Sequence, residues 1–325
     1  MIFARFLLAG AMAIAGSPLL ADPLPSWNDT DPKAALLTFV ESVTDPASPE
    51  YVTPADRVAV FDNDGTLWAE QPVYFQFLYA MERIGELAES DPSILTSDTL
   101  KAAAEGNLEA ALSGGEAALL EIVNVSHSGL SVDEFQDNVA GWLDTARHPV
   151  TGRPYRQMTY QPMLELLSYL RDEEFETYIV SGGGIHFVRA FAEEVYGIPP
   201  ENVIGSAGKT RYAVIDDVPT ILKDAGLAFI DDKEGKPVGI DTHIGKRPIL
   251  VAGNSDGDFA MLEWATAGKG ARLGVIVHHT DAAREWAYDR NSHVGQLARG
   301  LDEAPARGWL VVDMAQDWKS VWPGR

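Results

Sequence analysis

Val58-Ala59-Val60-Phe61-Asp62-Asn63-Asp64-Gly65-Thr66 is a short apolar run that ends in two carboxylates two positions apart. An uninterrupted apolar run bounded by turn residues has the pattern of a strand buried on both faces. In an open parallel sheet, ligands bind just beyond the carboxyl ends of the strands, and Asp62 and Asp64 stand at such an end. A carboxylate there can act as a nucleophile while its neighbour trades protons with a leaving group. A calcium loop is the competing reading of Asp-Asn-Asp-Gly. Counted from Asp62, however, the sixth and twelfth positions are Leu67 and Val73, where an EF-hand needs glycine and glutamate.

Two more loops of the same kind follow downstream. Ser181-Gly182-Gly183-Gly184 comes directly after the apolar Thr177–Val180 and ahead of a helix-like segment, offering a hydroxyl and approachable backbone to an anion. Asn254-Ser255-Asp256-Gly257-Asp258 comes after the strand-like Ile249–Ala252 and gathers the oxygen ligands that suit a hard cation such as magnesium. The glycine loop alone reads equally well as a structural turn, and the acidic loop has an acidic turn capping the next helix as its lesser alternative, but three such loops after three separate strands point to one site. A carboxylate attacking a phosphate dianion meets repulsion of about 4 kcal/mol per charge pair at 4 Å and intermediate dielectric, so a cation is needed. Lys223, Lys233, Lys236 and Lys246 are the lysines in reach of the pattern. Two decoys read as structural. Gly208-Lys209-Thr210 has Val203 where a P-loop needs glycine, and His278-His279 has no second ligand pair at zinc spacing and alternates across a strand.

Asp62-Asn63-Asp64-Gly65-Thr66 resembles the first motif of the haloacid dehalogenase superfamily, and Ser181 and Gly253 to Asp258 resemble its second and fourth, in that order. The match runs from about Val58 to Asp258. It implies that Asp62 forms a phosphoaspartyl intermediate, that Asp64 is the general acid and base, and that Ser181 and the Gly182 amide hold the phosphate. It also implies Mg2+ held by Asp62, the backbone carbonyl of Asp64, and the fourth motif through Asn254 and Asp258. An acid two positions after the nucleophile favours the phosphatases over the dehalogenases of the superfamily. For the third motif, Lys236 lies eighteen residues before Asn254, a spacing like that of phosphoserine phosphatases; Lys246, immediately before the strand, is the alternative. There is one departure. The fourth motif usually opens on aspartate, and Asn254 keeps an oxygen ligand but brings no charge.

Working outward, helical patterns fill Tyr74–Ala88, Asp98–Leu112, Glu116–Val125 and Ser131–Arg147, with Ser131 and Glu134 spaced as a capping box. Upstream, Asp31 is placed to cap an amphipathic helix with Pro32 in its first turn. Past Pro149, helices (Pro162–Arg171, Ile185–Tyr196) alternate with strands (Thr177–Val180, Ile249–Ala252, Leu273–Val277, Leu310–Val312), and Val203–Leu227 suggests a hairpin whose strands the pattern does not place. The expected fold is α/β: a Rossmann-like doubly wound parallel sheet with a helical cap inserted after the first strand. The core would take residues 22–72 and 150–325 and the cap residues 73–149. Trp68, Tyr74, Phe75, Phe77 and Tyr79 at the start of the cap would suit a cationic group such as choline or a flat leaving group, although at helical spacing most of them read as core. These features are similar to those of secreted phosphorylcholine phosphatases and of broad acid phosphatases alike.

The chain has 325 residues, 46% of them hydrophobic, and 25 basic against 48 acidic side chains give a net charge of −23. That field repels nucleic acid and anionic membranes, so the expected partner is a small phosphorylated molecule drawn to a local positive site. Arg5, the apolar Phe6–Ala15 and the small residue Ala21 form a secretory signal pattern over residues 1–21. The apolar stretch is too short to span a bilayer, so the expectation is a periplasmic or secreted protein without stable membrane insertion. The chain has no cysteine, so neither a disulfide framework nor a lipoprotein anchor enters the reading. The expected activity is magnesium-dependent hydrolysis of small phosphomonoesters. The alternatives are a phosphotransferase or dehalogenase of the same superfamily, or a noncatalytic periplasmic protein that binds a phosphorylated ligand. The pair Asp62 and Asp64 argues against the last, because binding alone gains nothing from a nucleophile facing an anion.

Overall fold

The computed structural model describes residues 22–324, so the signal pattern of residues 1–21 lies outside the described residues. Val58–Phe61 forms β1, buried along its whole length. Its period-two alternation sends Ala59 and Phe61 into one core and Val58 and Val60 into a second, so the sheet is covered on both faces. The remaining strands are β2 (Glu176–Gly184), β3 (Val203–Ile215), β4 (Val218–Phe229), β5 (Leu250–Gly253), β6 (Leu273–His278) and β7 (Leu310–Asp313). They lie in the order β4-β3-β2-β1-β5-β6-β7, every pair parallel except β3 with β4. Winding runs from β1 outward through β2 and β3, then returns to the other side of β1 with β5. Asp62 and Asn254 leave the sheet at that reversal, the position where open sheets of this kind bind ligands.

The helices are α1 (Asp31–Thr44), α2 (Phe75–Ser90), α3 (Asp98–Ala104), α4 (Leu108–Leu112), α5 (Gly115–His127), α6 (Val132–Thr145), α7 (Gln161–Asp172), α8 (Ile185–Arg189), α9 (Ala192–Tyr196), α10 (Gly235–Ile244), α11 (Phe259–Thr266), α12 (Arg299–Arg307) and α13 (Met314–Asp317). Those from α2 to α7 occupy the stretch between β1 and β2. The Ser131–Glu134 capping box opens α6. Three local expectations change. Asp31 is the first helical residue of α1, not its cap. The helix expected over Asp98–Leu112 is two, because Gly106 turns to φ 70° and the Asn107 side chain caps α4. The helix expected over Ile185–Tyr196 breaks at Phe191, whose ring stacks on Trp68 at 4.6 Å. The hairpin suggested within Val203–Leu227 is β3 and β4, joined by Asp216-Asp217 with both φ angles positive, as a two-residue mirror-image turn demands. Backbone bonds Lys223 N→Leu130 O (2.8 Å) and Gly129 N→Lys223 O (2.9 Å) fasten β4 to the approach of α6.

Candidate active site

Beyond β1 the backbone folds back on itself: the Asn63 carbonyl accepts from the amides of Thr66, Leu67 and Trp68, and Gly65 takes φ 75°. The turn sets the Asp62 carboxylate, buried, and the Asp64 carboxylate, partly buried, over the strand ends. Lys236, in the first turn of α10, is 2% exposed and reaches the same place. Its Nζ lies 2.6 Å from Asp62 Oδ1, 2.7 Å from Asp258 Oδ1 and 2.8 Å from the Val180 carbonyl. Burial alone would lower this ammonium, but the Asp258 and Asp62 carboxylates outweigh it and hold its pKa well above the ordinary value. Lys246 instead binds the Ala55 carbonyl and Asp56 at the amino end of β1, far along the sheet from Asp62.

Burial drives the Asp62 carboxyl well above its ordinary pKa, with the Asp258 charge adding to it and Lys236 opposing. Burial likewise raises Asp64, against the lowering hydrogen bonds from Trp68 and Asn63. Trp68 Nε1 donates to Asp64 Oδ1 at 2.8 Å. On β2, Ser181 Oγ accepts from the Gly183 amide at 3.0 Å, which leaves the hydroxyl proton free to donate, while Gly182 is exposed. A Cβ at Gly183 would lie 3.2 Å from both Ser181 Oγ and Gln76 Oε1 and 3.7 Å from Asp64 Oδ2, so the second loop closes on the first. After β5, Asp258 Oδ2 accepts from the Asn254 and Ser255 amides at 2.9 and 3.0 Å. Asp256 is turned elsewhere and takes the amides of Ala298, Arg299 and Gly300 around the start of α12.

The site is thus brought together from Asp62, Asp64, Ser181, Gly182, Lys236, Asn254 and Asp258. Several residues that pattern reading passed over join them. Glu70, 1% exposed, accepts from Asn254 Nδ2 at 2.7 Å and from the Tyr288 hydroxyl at 2.8 Å. Burial, then the Tyr288 and Asn254 donors against Asp64 and Asp62, leave Glu70 well above its ordinary pKa. Gln76 on α2 accepts from the Gly184 amide at 2.7 Å and meets His127 Nε2 at 3.0 Å. His279 Nε2 donates to the Gly65 carbonyl at 2.8 Å, so that histidine braces the first loop, whereas His278 faces Asp289. An acid isolated in the apolar stretch Leu67–Phe75 was the one available signal for Glu70.

The residues present fit a hard divalent cation. Asp62, Glu70 and Asp258 are buried and Asp64 partly buried, the ligand atoms they offer are all oxygens, and Asp258 Oδ1 has the Lys236 ion contact but no aligned hydrogen bond. Among the described residues no three acidic or histidine side chains converge into a complete cage. Sparse protein ligation of that kind is what magnesium accepts, since it keeps several waters. The aromatic segment from Trp68 to Tyr79 is mostly core. Trp68, Phe75, Phe77 and Tyr79 are buried against one another and their neighbours, and only Tyr74 reaches the surface.

A family profile described as haloacid dehalogenase-like hydrolase matches residues 59–263. No curated protein matches the chain. Among solved structures, a conserved protein of unknown function from Anaerococcus prevotii is similar at 18% identity, over 80% of this chain and 88% of that one, with a TM-score of 0.53. A protein of unknown function from Bordetella pertussis is 18% identical over 79% of this chain and 98% of that one, TM-score 0.48. A phosphoserine phosphohydrolase-like protein from Francisella tularensis is 17% identical over 77% and 98% of the two chains, TM-score 0.36. At these identities the first likeness bears on the fold alone, and the two with lower scores carry no argument.

Proposed function

The chain belongs to the haloacid dehalogenase-like hydrolases, and from that premise we propose that it hydrolyses small organic phosphomonoesters through an aspartyl phosphate on Asp62. The observation that carries this reading is the Asp62 carboxylate at the end of the central strand with the Lys236 ammonium 2.6 Å away and a second, partly buried acid, Asp64, two residues on. Lys236 neutralises part of the repulsion between attacking carboxylate and phosphate. Ser181 Oγ–H and the exposed Gly182 amide donate to the non-bridging oxygens. In the first step Asp62 bonds to phosphorus, the ester oxygen departs, and Asp64, whose pKa burial raises, gives that oxygen its proton. In the second step water bonds to phosphorus, Asp64 takes the water's proton, and the Asp62 carboxylate and free phosphate are released. Magnesium would be held by Asp62, Asp258, the Asn254 side-chain oxygen and the Asp64 carbonyl, and would supply positive charge to the phosphoryl oxygens.

The test is phosphate release from a panel of phosphomonoesters by chelator-treated protein with and without added magnesium. We expect turnover only with the metal. Asp62→Asn should abolish it, and Asp64→Asn should accumulate a phosphoryl group on the peptide carrying Asp62, seen by mass spectrometry. Release by Asp62→Asn at a rate near the wild type would overturn the covalent route, and full activity after exhaustive chelation would overturn the metal requirement.

A further inference from the structure

Asn254 stands where a carboxylate is expected, yet the negative charge has not left the neighbourhood. Its Nδ2 donates to Glu70 Oε1 at 2.7 Å, and its Oδ1 accepts from Thr66 Oγ1 at 3.2 Å. A carboxylate can only accept, so the amide has one allowed orientation here: nitrogen toward Glu70, oxygen toward Thr66. Glu70 is itself fixed. The Tyr288 hydroxyl donates to the same Oε1 at 2.8 Å, and the space for that oxygen exists because two flanking residues have no side chain. A Cβ at Gly65 would lie 2.4 Å from Oε1 and 2.0 Å from Asn254 Nδ2, and a Cβ at Gly295 would lie 1.9 Å from Oε1. Both glycines have positive φ, 75° and 65°, which an ordinary residue adopts only under strain. Thr66 and Asn254 are fully or almost fully buried, so nothing from solvent competes for these bonds.

We propose that Glu70 is a positioning residue for the cation site: through its hydrogen bond to the Asn254 amide it supplies the negative charge that residue 254 lacks and holds the Asn254 oxygen in its working orientation. The proposal rests on the magnesium reading of the pocket, in which the cation's charge favours the ionised form of Glu70 against the burial that opposes it. It does not depend on which substrate is hydrolysed. A residue that orients a metal ligand changes metal affinity by about 10-fold to 100-fold when it is altered.

The experiment measures Mg2+ and Mn2+ binding to the chelator-treated full chain by calorimetry, with circular dichroism as a check on folding. Glu70→Gln keeps the shape and a hydrogen bond to Asn254 but removes the charge, and should bind both ions about 10-fold to 100-fold more weakly than wild type. The double variant Glu70→Gln/Asn254→Asp moves the charge back to position 254 and reverses the hydrogen bond, and should recover wild-type affinity. Wild-type affinity in a folded Glu70→Gln, or a double variant that binds no better than Glu70→Gln, overturns the proposal. If Glu70→Gln fails to fold, the double variant decides alone: tight binding supports the proposal, and weak binding or failure to fold overturns it. A wild type that binds neither ion overturns it as well. Tight metal binding by a protein that releases phosphate from no ester would defeat the proposed reaction and leave this inference standing.

Discussion

Lys236 carries an ammonium that is 2% exposed between Asp62 and Asp258, and fold and chemistry depend on it together. Lys236→Met preserves the stem and strands two buried carboxylates; removing one partner of a buried ion pair typically costs about 3–5 kcal/mol. The variant is expected to melt well below wild type without metal and to regain part of the loss in magnesium, since a divalent cation can serve the same two carboxylates. A melting point unchanged from wild type would show that the ammonium is dispensable to the fold. At Asp64 the expectation is kinetic. Asp64→Asn should lower kcat/KM for alkyl phosphates more than for p-nitrophenyl phosphate, because a basic alkoxide needs a proton as it leaves and an activated phenoxide does not. General acid catalysis is worth about 100-fold to 10,000-fold, so equal proportional losses would remove Asp64 from that role. Asp62, Asp64, Ser181 and Asp258 were legible because each follows an apolar strand at its carboxyl end. The choice between Lys236 and Lys246 stayed open in the sequence; in the fold Lys246 sits on Ala55 and Asp56 at the amino end of β1, opposite Asp62. Glu70 was not legible, because its partners Asn254 and Tyr288 are distant in sequence and only the folded chain joins them.

Between elements, the joint between the helical stretch and the sheet is a polar clasp. Gln76 on α2 takes the Gly184 amide of β2 with its oxygen, which forces its nitrogen toward His127 Nε2 on α5. That ring nitrogen must therefore accept, so the proton sits on Nδ1 and faces Ser126 Oγ at 2.7 Å. Nearby, Lys223 of β4 contacts His186 Nδ1 at 3.1 Å and lies 4.3 Å above the Phe135 ring. Burial pushes the Lys223 amine down to about 8, and burial, then the Lys223 charge, push His127 down to about 3. A histidine whose folded pKa is depressed favours folding fully above its unfolded value near 6.5, and that contribution is lost as pH falls from there toward 3. Below 6.5 the unfolded chain binds the extra proton, so stability drops with acid by up to about 1.4 kcal/mol per pH unit for this one group. His127→Gln should flatten the acid limb of the melting-point curve between pH 6.5 and 4 relative to wild type; parallel curves would mean that His127 titrates alike in both states. The strands of the sheet were readable from runs of apolar residues, and α6 from its capping box. The clasp and the outer half of the hairpin were not. Tyr212, Val214, Val218 and Ile221 are exposed on β3 and β4, and apolar residues without a buried face give no alternation to read.

For the whole molecule, the controlling quantity is a net charge of −23 with part of its excess buried in one crevice. No helix among the described residues is long and apolar enough to cross a membrane. The reading of residues 1–21 as an export signal remains our proposal, checked by N-terminal sequencing of protein from a secreting host: Asp22 as the first residue supports it, and an intact Met1 counts against it. Metal binding makes a sharper claim about the folded state. An ion that binds the native crevice and not the unfolded chain stabilises by RT ln(1 + [L]/Kd), about 2.7 kcal/mol at a hundred times Kd, or several degrees of melting point for a chain of this size. Any divalent ion would also stabilise so acidic a chain by screening its self-repulsion, and that effect must be separated. Sodium chloride at matched ionic strength supplies screening without a site. The double variant Asp62→Asn/Asp258→Asn removes two of the proposed ligands while changing the net charge by little. Magnesium is therefore expected to raise the wild-type melting point by several degrees beyond the salt control and to raise that of the double variant no more than salt does. Equal shifts in both proteins would mean that magnesium acts on the charged surface and that the crevice at Asp62 does not hold it.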